Sequence, residues 1–229
     1  MKFSNKYMAF ICVLLLLVVS FTASAVELDS VKRDPNYVVN IVGRSKKIVD
    51  NLKIKDKTVY NNVLNIVCNK YFSLNDVYSK RDTVIAQAKR ANFPKEELAI
   101  IQSAAKNEAE ATLYRTHFAF ASDLSLYIND KQIEAIKDGM TYNVVKVTYD
   151  ATLAMIPTLT KEEKTQILVW LKEAREFAVD AENSNKKHEA FGKYKGRINN
   201  YLSKRGYDLV KERQEWYKRI EKQKKKEKK

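Results

Sequence analysis

The sequence is short of the residues from which many protein classes are built. It has two cysteines and two histidines in 229 residues, which excludes a multi-disulfide framework and a zinc-ribbon site. Five glycines and three prolines beside 45% hydrophobic residues argue against a collagen-like, low-complexity or turn-rich all-β chain. A helical globular protein is the expectation. No nucleophile elbow, phosphate-cradling glycine loop or paired-histidine metal motif occurs, so no cofactor or metal is expected and no catalytic motif is recognised. Acid is scarce relative to base: 42 Lys and Arg stand against 28 Asp and Glu, a formal net charge of +14.

That charge is unevenly placed. Lys2 and Lys6 flank the start of an apolar run of 12 residues, Met8 to Val19, which is followed by the small-residue triplet Ala23-Ser24-Ala25. The pattern is that of a secretory signal peptide cleaved near Ala25, and it predicts export to the periplasm or cell surface. The run is too short to span roughly 30 Å of hydrocarbon, so no transmembrane segment is expected in the mature chain. Cys12 has no small residues before it, which argues against a lipid-anchored cysteine. Cys68 then stands alone, and its place after Ile66-Val67 in an apolar pattern predicts core packing.

At the other end, residues 211–229 carry ten basic and four acidic residues. This tail reads as a solvated helical extension, with a basic tether to an acidic surface as the functional alternative. Residues 26–210 form the domain and keep only +6 of the charge, too little to indicate nucleic-acid binding.

Within the domain the apolar spacing is helical. Asp34-Pro35 and Asp56 are helix starts, and the second opens an amphipathic run of about 35 residues through Tyr60, Leu64, Val67, Tyr71 and Leu74. Pro94 opens another long helix with Glu96 and Glu97 in its first turn. Asp130 begins a short helix that Gly139 should stop. Residues 141–156 alternate as a strand would, though their helical surroundings favour helix. Thr160 with Glu163 is a capping box ahead of a helix over 161–181, and a last core helix should run from His188 to Arg205. Together these predict an all-α, single-domain bundle of about six helices, two of them long.

Three segments hold candidate ligand-binding residues. In Tyr114-Arg115-Thr116-His117-Phe118, Arg115 suits a carboxylate and His117 is the best single acid–base candidate. In Phe191 to Leu202, Gly192 and Gly196 lie four residues apart at a helix-propensity cost of roughly 1 kcal/mol each. That cost predicts a close approach, either a tight helix crossing or a ligand lying against the backbone. In the second case Lys193, Lys195, Arg197, Asn200 and Tyr201 would supply donors and a stacking surface for a carboxylated sugar. The third is Asp138-Gly139-Met140-Thr141-Tyr142, where a helix end could set Asp138 and Tyr142 at a pocket mouth. A single site requires the three segments to converge.

From Asp34 to Leu209, and most specifically in Ile133-Glu134-Ala135-Ile136-Lys137-Asp138-Gly139-Met140-Thr141-Tyr142, in Gly192 to Ser203 and in Gly206-Tyr207-Asp208, the chain resembles a family of exported proteins of unknown function. That family comes from polysaccharide-degrading Gram-negative bacteria and is described as sugar-binding. The resemblance implies a carbohydrate partner, an oligosaccharide or polysaccharide of plant cell-wall type, and with pectins an anionic one. Leu159-Thr160-Lys161-Glu162-Glu163 and Asn129-Asp130-Lys131-Gln132 are incompletely similar to the helix-start signature of small periplasmic helical chaperones, which supplies an alternative. A carbohydrate-active enzyme using His117 is the second.

Overall fold

A computed structural model describes residues 25–227. The expected leader, with Cys12, lies outside them apart from Ala25. The described residues form eight α-helices and no strand: α1 Pro35–Val49, α2 Lys57–Arg90, α3 Lys95–Ser125, α4 Asp130–Met140, α5 Val144–Met155, α6 Lys161–Val179, α7 Ser184–Lys204 and α8 Leu209–Glu227, with a 3-10 turn at Asp50–Leu52. None of them is long and apolar enough to cross a membrane.

The starts follow from local chemistry. Asp34 accepts from the Tyr37 amide and Asp56 from the Val59 amide, both at 2.9 Å, so each carboxylate satisfies an orphan donor at the positive end of a helix. Asn129 with Gln132 and Thr160 with Glu163 are reciprocal capping boxes. These caps account for both segments that resemble the chaperone signature.

The structure has eight helices where about six were expected, because the segment within 141–156 and the basic tail, both read as helical, count as separate helices. The alternating segment 141–156 is helix α5, because Val144 and Val145 bury on one side only. The tail is an ordered helix: Arg219 donates to the carbonyls of Ala154 and Met155, both at 2.9 Å. A cation there satisfies the free carbonyls at the negative end of α5.

The helices build two cores. Ile41 and Ile48 of α1, Val67 and Phe72 of α2, Leu124 of α3 and Ile136 of α4 belong to the first. Val145 of α5, Ile167 and Leu171 of α6, and Phe191, Ile198 and Leu202 of α7 belong to the second. Cys68 is fully buried in the first core, where loss of solvation raises its thiol pKa. No residue from 75 to 119 belongs to either core. The far halves of α2 and α3 therefore leave the body as a two-helix arm.

Gly139 does not stop α4, which runs on to Met140. A Cβ there would sit 2.8 Å from Cγ2 of Ile48, so the glycine is needed where α1 meets α4. The chain then reverses through Tyr142 and Asn143, at φ 60° and 55°. A left-handed aromatic residue is uncommon, and Tyr142 is stacked on His188 with centroids 5.7 Å apart.

Candidate functional site

The two cores meet through charge. Arg175 of α6 is 2% exposed and donates to Asp138 at 2.9 Å, to Glu134 at 2.5 Å and to Glu176 at 3.1 Å. Glu134 and Asp138 are four residues apart and share one face of α4, so a single guanidinium reaches both. Lys172 holds the other oxygen of Glu134 at 2.9 Å, and Lys137 holds Glu176 at 2.8 Å. Burial opposes ionisation of Glu134, but the hydrogen bonds from Arg175 and Lys172 outweigh it and keep that carboxyl at about 2. Burial likewise opposes the charge on Arg175, and the same carboxylates raise its pKa. The guanidinium Nε is buried with no hydrogen-bond partner.

Above this network lies a cleft of about 380 Å³ between α4, α5 and α6. Lys131, Glu134 and Asp138 come from α4, Lys146 and Tyr149 from α5, and Leu168 and Lys172 from α6, with Arg175 at its base. Ionised acceptors, ammonium donors and apolar surface alternate around it. Such a lining suits a small polar ligand carrying several hydroxyl groups.

A second part of the charged seam lies near the end of α6. His117 of α3 places Nδ1 2.6 Å from Oδ2 of Asp180, with Nε2 3.8 Å from Glu176, and Lys70 of α2 is 2.6 Å from the other Asp180 oxygen. Tyr78 donates to the Asp180 carbonyl at 2.7 Å. His117 thus ties α3 to α6 beside a carboxylate already neutralised by a lysine. No group of three or more potential ligands among the described residues is placed to hold a metal ion.

The segments singled out in the sequence occupy different places. Asp138 lines the cleft, and Tyr142 lies on the α4–α5 reversal against His188. Arg115 is exposed on the arm and held within its own helix by Thr112 at 2.9 Å and Glu108 at 3.4 Å. Arg197 of α7 lies 4.7 Å over the Trp170 ring of α6 and 3.7 Å from Glu173, and Tyr201 meets Trp170 edge-on at 5.2 Å. Lys193, Lys195 and Asn200 are exposed on α7. Lys195 and Arg197 are two positions apart, so they leave the helix on different sides. Arg115 and Arg197 share no partner; His117 and Asp138 are joined through Glu176 and Arg175, and the ion pair of Arg197 with Glu173 stands apart from them.

The glycine pair has a plain outcome. A Cβ at Gly192 or Gly196 would meet nothing within 4 Å, so the tight helix crossing expected there is absent. α7 buries Phe191, Ile198 and Leu202 instead and turns both glycines to solvent.

Arg175, Glu134 and Lys172 were not among the sequence candidates. A signal for them exists: Arg175 interrupts the buried stripe of Ala174 and Ala178, and a cation there requires acids opposite. Glu134 and Asp138, at i and i+4, are those acids.

The fold and its charged seam define a helical protein with a shallow polar cleft. The chain belongs to the DUF3826 family, described as a protein of unknown function, which matches residues 38–222 and so extends into α8. None of the curated proteins compared matches the chain.

Proposed function

We propose that the chain is an exported carbohydrate-binding protein that takes a short acidic oligosaccharide of the plant cell-wall type in the cleft between α4, α5 and α6. One observation carries this reading: carboxylates, lysines, Tyr149 and Leu168 share the lining of one concave site of about 380 Å³. That volume is in the range of small-molecule sites. The carboxylates of the lining accept from sugar hydroxyls, while Lys131 and Lys172 supply ammonium groups for a uronate carboxylate. Glu134, held at about 2 by Arg175 and Lys172, is ionised at neutral pH and is not the general acid that hydrolysis would require. Export and a role in polysaccharide utilisation rest on the leader and on the family resemblance.

The test is a thermal-shift and calorimetric series with neutral and acidic oligosaccharides of equal length at two salt concentrations. Acidic sugars should give a saturable rise in melting temperature that salt reduces, and Lys131→Glu should weaken binding about tenfold. Equal, absent or salt-independent responses to the two sugar classes reject the acidic-sugar site. Sugar turnover that disappears in His117→Ala would replace it with an enzyme.

A further inference from the structure

The arm formed by α2 and α3 exposes an apolar stripe that the monomer does not use. In α3, Ile100, Ala104, Asn107, Ala111, Tyr114 and Phe118 follow one another at spacings of four and three, the repeat of a helix–helix seam. The opposite side of α3 is already engaged: Ala105, Ala109 and Thr112 share a small groove of about 90 Å³ with Val77 and Val84 of α2. The stripe itself faces solvent, with Ile100 68%, Tyr114 74% and Phe118 66% exposed. Tyr114 and Phe118 meet edge to face at 6.4 Å, so the aromatic end of the stripe is already ordered. Only Ala109, Phe120 and Leu124 of this 31-residue helix are buried, although apolar residues occur on all its sides.

We infer that the stripe is the dimer interface of this protein, with α3 of a second copy packed antiparallel along it. The stripe is complementary to itself when paired about a two-fold axis near residue 109. Ile100 then lies opposite Phe118, Ala104 opposite Tyr114, and Asn107 opposite Ala111. Large side chains meet small ones in the middle layers, which is how a helix seam closes without voids, and each copy presents the same surface, as a two-fold contact requires. Area agrees with this occupant. The three large side chains expose roughly 400 Å² per copy, judged from the size of such residues. With the intervening small residues and the stems of Glu108 and Arg115, the pair removes about 1,000 Å² in total, near the lower bound for a specific interface.

Sedimentation of the purified protein at tens of micromolar tests the inference. The wild type should be a dimer, and the double variant Tyr114→Glu/Phe118→Glu a monomer whose association is weaker by about 100-fold or more. Helical circular dichroism should be unchanged, because both side chains are exposed and contribute to neither core. Register is read separately. A mixture of Ala104→Cys and Tyr114→Cys proteins should form an intermolecular disulfide, whereas Ala104→Cys alone should not, its two copies lying roughly 15 Å apart along the seam. A monomeric wild type, or a dimer that survives the double glutamate variant, overturns the inference. So does a monomer that slows aggregation of reduced α-lactalbumin through Tyr114 and Phe118, since the stripe would then hold unfolded chains. A cross-link formed by Ala104→Cys alone overturns the register.

Discussion

The two flanks of α6 are held by different chemistry. Towards α7 the helix buries Ile167, Leu171, Ala174 and Ala178 against Phe191, Ile198 and Leu202, a contact that is favourable wherever apolar area leaves water and asks little of orientation. Towards α4 it presents Arg175 and Glu176 to Glu134, Lys137 and Asp138. Ion pairs of this kind add little net stability after desolvation, yet they depend closely on distance and direction. One helix thus joins two cores, by burial on one side and by directed charge on the other. The charged side is where the protein has polar groups to offer a ligand.

The largest expected effect separates these flanks. Arg175→Ala and Arg175→Met should each cost about 3–5 kcal/mol, because either leaves Glu134 and Asp138 without their cation, while Glu134→Gln/Asp138→Asn/Arg175→Met, which removes the charges together, should recover most of that loss. Leu171→Ala, on the apolar flank, should cost about 3–5 kcal/mol with no such rescue. Urea denaturation of the four variants checks the contrast, and a triple variant as unstable as Arg175→Met would show that the charge itself sustains the fold.

Next in size is Lys187, 5% exposed, whose ammonium donates to the Val179 carbonyl at 3.5 Å. Burial lowers its pKa to about 8, with Asp180 opposing. Between about 8 and the ordinary value of 10.5 the unfolded chain binds the extra proton, so this group's contribution to stability rises with pH across that window and is flat below it. Lys187→Met should remove the rise, by roughly 2–3 kcal/mol, in melting curves recorded from pH 7 to 10.5.

Smaller again is Gly139→Ala. Its methyl group would press on Cγ2 and Cγ1 of Ile48 and should cost about 1–3 kcal/mol, and only a partner change that removes both Cγ atoms, Gly139→Ala/Ile48→Ala, relieves the contact. Smallest, and opposite in sign, are Gly192→Ala and Gly196→Ala. With nothing near either position, each should stabilise by about 0.5–1 kcal/mol. A loss at either position would mean that something does approach α7.

Much of the fold was legible because it is local. The carboxylate caps at Asp34 and Asp56, the box at Thr160 and Glu163, and the long apolar repeat of α2 each depend on neighbours within one or two turns. The tail was harder to read, because its anchor is Arg219 on carbonyls 64 and 65 residues earlier in the chain. Asp138 was recognisable at a helix end. Its partner Arg175 lies 37 residues away, and no spacing rule links them. The glycine pair misled for a related reason: propensity measures what a residue costs, and space around it is set by other helices.

Composition, periodicity and caps therefore determined an all-helical chain, most of its helix boundaries and a buried cysteine, since each follows from contacts within a segment or from simple exclusion from water. Tertiary structure alone decided that the apolar faces divide into two cores, that α4 and α6 meet through ions, and that one side of α3 remains in solvent. Those outcomes depend on which helix lies beside which, and charges or methyl groups tens of residues apart become neighbours only when the chain has packed.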